Sequence, residues 1–275
     1  MFRHRIEVLR GGRLCLLPLL VLLVGLRTAS GQANEGREHF QVKIGAYYDQ
    51  GDFGSLNTTR AFYTPVTLRY LGNRFDIGVT PSFALVNTPG GVRLIDGVPT
   101  PTGERSSLVR TTESGVGDTV VRGRFRLLAE TEGGPTITPF VKVKIPTGRD
   151  NPSLSTGKTD YGFGVEVDKQ VSPVLLFGDL SYTVTGKAVG LDLQNRIGGS
   201  FGVGGKLSES TTLSGLLDWR RSIVTGNENP TELVGVITYR LSPTVTVSPN
   251  VYFGLTNSSP TVGGGVELAF RFGRY

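Results

Sequence analysis

The apolar positions of this chain follow a period of two over most of its length. In the last such stretch, "VGGGVELAFRF" (262–272), Phe270 and Phe272 fall on one face and Glu267 and Arg271 on the other. Strict alternation of this kind predicts a β-strand with one apolar and one polar face. The question is what medium the apolar face touches.

Twelve segments share this alternation, and most of them are nine to twelve residues long. A tilted strand needs roughly 9–11 residues to cross a bilayer. The predicted strands are 40–48, 62–70, 75–85, 117–128, 136–145, 160–169, 174–184, 196–206, 211–220, 231–240, 244–255 and 262–272.

The connections between these segments alternate in length. Those after the odd-numbered strands are long (49–61, 86–116, 146–159, 185–195, 221–230 and 256–261), and those after the even-numbered strands are short. Outer-membrane barrels have short periplasmic turns and long external loops. The even number of strands places both termini on the periplasmic side.

Aromatic residues cluster near the predicted strand ends, which is typical of the two interfacial girdles of a membrane barrel. They are Tyr48, Phe62, Tyr70, Phe75, Phe83, Tyr161, Tyr182, Trp219, Tyr239, Phe253 and Phe272. Because lipid cannot hydrogen-bond to a strand edge, such strands must close on each other. The sequence predicts an all-β protein: a transmembrane, antiparallel, up-and-down β-barrel of the bacterial outer-membrane type.

Four prolines, Pro65, Pro81, Pro139 and Pro249, fall inside predicted strands. Proline lacks the N–H that a ladder needs, so it is confined to edges and bulges. We therefore expect either bulges at these positions or displaced strand boundaries.

The first residues have the layout of a secretory signal peptide: a basic start, the apolar run 14–26 and then small residues. We predict a signal peptide over 1–31, cleaved after Gly31 or Ala33, a short periplasmic segment over 32–39 and the barrel over 40–275. The leader carries five arginines, one glutamate and Cys15, so its removal lowers the formal net charge from +6 to +2 and leaves no thiol. The basic balance of the whole chain is therefore no argument for nucleic acid.

Four stretches resemble a known family: "SGVGDTVVRGRFRLL" (114–128), "PFVKVKIPTGRDNPSLSTGKTDYGFGVEVDKQVSP" (139–173), "LFGDLSYTVTG" (176–186) and "GLTNSSPTVGGGVELAFRF" (254–272). The family is that of the outer-membrane proteins named after the meta-pathway of phenol degradation. The resemblance covers under half of the chain. It implies a barrel of about this size that moves small, including aromatic, molecules. It supplies no catalytic residues.

The predicted lumenal face is rich in charge. The pore-lining candidates are Arg122, Arg124, Arg126, Lys142, Lys144, Glu166, Asp168, Arg196, Lys206, Asp218, Glu232, Arg240, Glu267 and Arg271. One interpretation is a basic stripe that faces an acidic stripe across a water path and selects solutes. The other is a self-neutralising network that fills the lumen. Lumenal glycines on the sixth, eighth and twelfth strands favour a cavity there, although glycine can also mark curvature.

The longest connection, 86–116, has apolar islands at Val92, Leu94 and Ile95. It can fold into the mouth of the barrel as a constriction or remain outside as a surface loop.

Catalytic constellations are poorly supported. The predicted mature chain has one histidine, His39, at the periplasmic rim, and no cysteine, which argues against ordinary triads. Paired carboxylates such as Glu166 and Asp168 are more typical of salt bridges. No metal-ligand spacing and no phosphate- or dinucleotide-binding loop is present, so no cofactor is expected.

The sequence thus predicts a Gram-negative outer-membrane channel or transporter for small solutes, with no enzymatic activity. The expected partners are membrane lipid, lipopolysaccharide and the outer-membrane assembly machinery, which would read Phe270 and Phe272 in the last strand. The first alternative is a closed structural or adhesion-type barrel that acts through its outer loops. An outer-membrane hydrolase is a more distant one.

Overall fold

The computed structural model describes residues 39–53, 57–88, 92–95, 98–102 and 110–273. The predicted signal peptide and residues 32–38 lie outside the described residues. The strands are β1 (His39–Gly51), β2 (Thr59–Leu71), β3 (Phe75–Thr80), β4 (Ser82–Thr88), β5 (Val92–Ile95), β6 (Val98–Pro101), β7 (Thr111–Val116), β8 (Thr119–Phe125), β9 (Thr136–Ile145), β10 (Asp160–Val171), β11 (Val174–Val184), β12 (Arg196–Lys206), β13 (Thr211–Arg220), β14 (Thr231–Arg240), β15 (Val245–Gly254) and β16 (Val262–Phe272).

The strands form a closed barrel. From β8 to β16 each strand pairs antiparallel with its neighbour in the chain, and β1 pairs with both β2 and β16, which closes the sheet. β3 and β4 are two halves of one membrane-spanning strand, and β7 and β8 are two halves of the next. The result is a 12-strand antiparallel barrel, which confirms the predicted fold class. In the described part of the chain no helix is long and apolar enough to cross a membrane.

The break between β3 and β4 falls at Pro81. Thr80 pairs with Val120 on one side of the break and Phe83 with Val116 on the other. Three residues of the fourth spanning strand therefore oppose two of the third, which is a β-bulge. Pairing continues beyond the bulge, so the third spanning strand runs to Thr88 rather than 85, and the fourth begins at Thr111 rather than 117.

The other three prolines remain inside strands, and each faces a gap in one ladder. The β1–β2 pairing is interrupted opposite Pro65, the β14–β15 pairing is interrupted opposite Pro249, and the β8–β9 pairing ends one residue before Pro139. The ladder on the other side of each proline stays intact. The missing N–H is thus accommodated by local loss of pairing on one side.

The two ends of the barrel differ as predicted. We call the end with the long connections the loop end and the other the turn end. The turns are 72–74, 126–135, 172–173, 207–210 and 241–244. The 126–135 connection is longer than expected, although Leu127 and Leu128 still donate to the carbonyl of Ile137 and continue the hairpin.

The outer surface is an apolar belt. Side chains such as Phe163, Phe201, Leu217 and Leu233 are exposed, and Phe201 retains 64% of its accessible surface. A contiguous apolar surface of this extent is untenable in water and fits hydrocarbon. Aromatic contacts occur toward both ends of the belt: Phe40, Tyr70 and Phe75 form one row at the turn end, and Phe163 contacts Tyr182 toward the loop end.

Candidate functional site: the lumen of the barrel

The loop half of the lumen holds an apolar cluster, which we call the tyrosine chamber. It contains Tyr47, Tyr63 and Tyr252, the wall residues Ala61, Ala84 and Val86, and Leu94 and Leu154 from two long connections. Tyr47, Tyr63 and Ala84 are paired across β1, β2 and β4, so they form one row on the inner wall. The chamber is therefore built by the wall and closed by loops.

Part of the longest connection lies across the mouth. β5 and β6 form a hairpin that, among the described residues, pairs with no strand of the barrel. Leu94 is 1% exposed in the tyrosine chamber, and its N–H donates to the carbonyl of Ser153 at 2.8 Å. Of the two open possibilities for 86–116, the structure supports the constriction for residues 92–95 and 98–102.

The end of β5 joins a second apolar cluster at the loop end. Ile95 is buried with Leu191, Leu193, Ile223 and Val224, which belong to the 185–195 and 221–230 connections. A bridge between Leu193 and Val224 ties these two connections together. Three of the long loops thus form a cap over the mouth.

The turn half of the lumen is polar and ionic. Arg124 lies 2.9 Å from Asp76 and 3.4 Å from Glu166, while Arg122 lies 2.7 Å from the same glutamate. Asp76 also binds Arg69 at 2.7 Å. Five charged side chains from four spanning strands are linked in one chain of ion pairs, which we call the arginine network.

The arginine network borders a small hollow. Its volume is about 40 Å³, and its lining includes Lys43, Thr67 and Thr80 beside the arginines. Lys43 also pairs with Glu267 on β16 at 2.8 Å. A hollow of this size, bordered by charged and hydroxyl-bearing residues, has room for a water molecule and not for an organic solute.

Two further ionic groups lie nearer the loop end. Lys144 lies between Asp118 at 3.3 Å and Asp160 at 2.9 Å. Arg220 binds Asp218 at 2.8 Å and also binds Glu232. Most of the predicted lumenal charges in these groups are therefore paired, which favours the interpretation of a self-neutralising network over that of two separated stripes.

The remaining predicted residues are spread over both ends. Lys206 and Arg240 are exposed at the turn end, where Arg240 donates to the carbonyl of Glu209. Arg126 donates to the carbonyl of Asn73 in the first turn, away from the arginine network. Lys142, Asp168 and Arg271 lie on lumen-facing positions, Arg196 lies beside Arg220 at a second small hollow, and Phe270 and Phe272 face outward.

The expectation of a cavity along the glycine-rich strands is wrong, because side chains of neighbouring strands fill that space. A β-carbon on Gly162 would lie 2.5 Å from the Lys142 side chain, and one on Gly164 would lie 2.6 Å from the Phe140 ring. Gly202 is covered by Phe177 in the same way, and Gly263 by Tyr252. At each of these glycines, a larger side chain from an adjacent strand lies flat against the barrel wall.

Residues that sequence reasoning missed include Asp49 and the tyrosines of the chamber. Asp49 is fully buried and accepts a hydrogen bond of 2.6 Å from the hydroxyl of Tyr252. The signal was a run of alternating residues, Tyr47, Asp49 and Gly51, that continues the first strand beyond its predicted end.

Among the described residues no group of three or more potential metal ligands is assembled. His39 begins β1 at the turn end, away from these clusters.

The fold and the lumen together define a closed transmembrane barrel of the outer-membrane type. The chain is similar to an outer-membrane channel from Pseudomonas putida F1, with 14% identity, a TM-score of 0.57, and coverage of 86% of this chain and 96% of that one. It is also similar to the NanC porin, with 11% identity, a TM-score of 0.51, and coverage of 85% and 100%. At these identities the likeness establishes the fold. No family model matches the chain.

Proposed function

We propose that this protein is a gated outer-membrane channel for small organic solutes and has no enzymatic activity. The observation that carries the proposal is the position of Leu94, a residue of an external connection that fills an apolar chamber inside the barrel. A purely structural barrel needs no such chamber, because salt bridges and small residues can fill a lumen of this size.

The β5–β6 hairpin has the properties of a movable plug. It shares no ladder with the barrel in the described part of the chain, and an isolated two-stranded hairpin is marginally stable in water. Val92, Leu94 and Ile95 hold it in place by burial worth about 1.5–3 kcal/mol each, and Pro99 is buried with them. A plug held by roughly 5–9 kcal/mol opens in a small fraction of molecules and can be displaced by a solute with comparable affinity.

The lining favours a class of solute. Three tyrosines and the aliphatic wall of the chamber suit a small molecule with an apolar or aromatic body. The finer assignment, to the outer-membrane proteins named after the meta-pathway of phenol degradation, rests on the sequence resemblance and agrees with this lining.

The surroundings follow from the same proposal. The belt contacts outer-membrane lipid, the loop end lies outside with lipopolysaccharide, and both termini face the periplasm after removal of a signal peptide. The assembly machinery recognises the last strand through Phe270 and Phe272.

The test uses the absence of cysteine from the predicted mature chain. Leu94→Cys should react slowly with a membrane-impermeant thiol reagent, at a rate that rises with added solute, because the side chain is exposed when the hairpin withdraws. Val189→Cys, at a position 94% exposed in the 185–195 loop, should react at once and independently of solute. A Leu94→Cys variant that is unreactive under every condition would contradict a moving plug.

Solute flux completes the test. Deletion of residues 92–101 should raise single-channel conductance and the uptake of small solutes by vesicles. If the deleted barrel folds and neither quantity rises, the proposed channel is wrong. The closed structural or adhesion-type barrel would then be the better interpretation, and the close packing of the lumen is the observation that favours it.

A further inference from the structure

Asp49 carries a buried carboxyl group in the loop half of the lumen that no ion pair among the described residues satisfies. Its side chain is 1% exposed, and Oδ1 accepts the hydrogen bond from Tyr252. Oδ2 is buried and accepts no hydrogen bond from any described residue. A buried carboxylate oxygen without a donor is costly, so such an atom at a lumenal position calls for a partner.

No positively charged side chain among the described residues pairs with Asp49. A buried guanidinium of the loop half, Arg220, is bound directly by Asp218 and Glu232. Among the described residues, Asp49 forms no ion pair with Arg220 or with another lysine or arginine.

Aromatic rings surround the same position. Asp49 lies two residues from Tyr47 on the inward face of β1 and pairs with Ala61 and Gly263, and the Tyr252 ring covers Gly263. Tyrosine faces attract cations, and the attraction grows when water is excluded. A carboxylate beside Tyr47, Tyr63 and Tyr252 combines the two features that recognise an organic ammonium ion.

The occupant of this region in the closed barrel is Leu94. Its side chain belongs to the same cluster as the three tyrosines and carries no group that could donate to Asp49. The plug therefore fills the apolar volume and leaves the carboxylate oxygen unsatisfied. A ligand with an apolar body and a cationic head would fill the apolar volume and also donate a hydrogen bond to the carboxylate oxygen.

From this geometry we infer that the tyrosine chamber binds small primary amines in their protonated form, with the ammonium group on Asp49 and the apolar or aromatic body in the place of Leu94. The inference rests on the proposed channel function and narrows its solute class. Tyr252 holds Asp49 in position through its hydroxyl. The arginine network lies further toward the turn end and is not part of this site.

The experiment compares three probes of similar shape and different charge: benzylammonium, benzyl alcohol and benzoate. Binding is measured by calorimetry on the folded barrel in detergent, in the wild type and in Leu94→Ala, which leaves the chamber open. Benzylammonium should bind about tenfold more tightly than benzyl alcohol, as expected for a charge-assisted hydrogen bond in a buried site. Benzoate should bind most weakly.

Asp49→Asn tests the residue itself, because the amide is of the same size and still accepts the Tyr252 hydrogen bond. It should remove the advantage of benzylammonium and leave benzyl alcohol binding within about twofold. Asp192→Asn, at an exposed loop carboxylate, is the matched control and should change neither. Heat-modifiable gel mobility verifies that each variant is folded.

The outcomes separate the two proposals. If the barrel raises the flux of the probes above that of protein-free vesicles but benzylammonium has no binding advantage, or if Asp49→Asn preserves that advantage, the amine site is wrong and the channel stands. If the barrel raises the flux of no probe above that of protein-free vesicles even after deletion of residues 92–101, the channel is wrong. Tight benzylammonium binding that depends on Asp49 in a barrel without flux would retain the site and reject passage.

Discussion

Arg122 and Glu166 form an ion pair at 2.7 Å although they belong to spanning strands two places apart in the wall. The guanidinium passes over Phe140 of the intervening strand, with its carbon 3.9 Å from the ring centroid. The pair therefore crosses the lumenal face of a strand, and the aromatic ring beneath it replaces water.

Glu166→Gln should destabilise the barrel, because Arg122 and Arg124 would both lose a counter-charge in a partly dry lumen. Breaking a buried pair by removing one partner typically costs about 3–5 kcal/mol, and we expect a loss near the lower limit because the pair is partly hydrated. Urea unfolding in lipid vesicles measures it. The control is Asp150→Asn in the exposed pair with Arg149, where the change should stay within about 0.5 kcal/mol. Equal effects of the two variants would contradict a structural role for the arginine network.

Arg122 and Arg124 of the fourth spanning strand should differ from Arg126 of the following turn in their effect on ion preference. Replacement of Arg122 and Arg124 by Ser in the barrel without residues 92–101 should shift the reversal potential toward cations, since Asp76 and Glu166 remain. Arg126→Ser should leave it nearly unchanged, because Arg126 binds the first turn. Single-channel recording in a salt gradient measures the reversal potential of each variant. A larger shift from Arg126→Ser than from the double replacement would show that the arginine network does not line the solute path.

Alternation along each strand was enough to place Arg122, Arg124 and Glu166 on the lumenal side, because a period of two depends on local sequence alone. Which charges meet depends on register across three strands, and register is set by turns and by the bulge opposite Pro81. The same limit explains why the expectation of a cavity was wrong. Gly164 has no side chain, and the sequence alone does not show that the register places Phe140 over it. The plug was harder still to predict from the sequence, because Leu94 and Ile95 are buried by residues from several other connections.

Gly164→Ala should impair folding, because a β-carbon there meets the Phe140 ring and also the carbonyl of Leu180. The carbonyl belongs to the ladder and cannot move freely, so we expect a loss of about 1–3 kcal/mol. Gly133→Ala is the control, since nothing lies within 4 Å of its added carbon. Thermal unfolding of the two proteins on heat-modifiable gels compares them. If Gly164→Ala were as stable as Gly133→Ala, the glycine would be open space as first expected.

Phe272 should be the aromatic residue on which barrel assembly depends. It pairs with Phe40 across the closing seam and faces outward, whereas the last two residues, 274–275, lie outside the described part of the chain. Phe272→Ala should reduce the amount of folded barrel recovered from outer membranes, and removal of residues 273–275 should have little effect. The opposite ranking would place the assembly signal in residues 273–275 instead of at Phe272.

The medium around the belt decides whether the barrel has a lumen at all, because the polar faces point inward only if the apolar faces contact lipid. Phe201 and Val189 are both highly exposed, but Phe201 lies in the middle of β12 and Val189 in a loop. If hydrocarbon surrounds the belt, Phe201→Lys should cost about 2–4 kcal/mol of folding free energy in vesicles. Val189→Lys should be neutral, as at a hydrated surface. If the belt faced water, Phe201→Lys would instead improve solubility without loss of stability, and the protein freed of its leader would be folded and monodisperse in buffer without detergent. Either result would overturn the barrel as a membrane protein, and with it both proposals for the lumen.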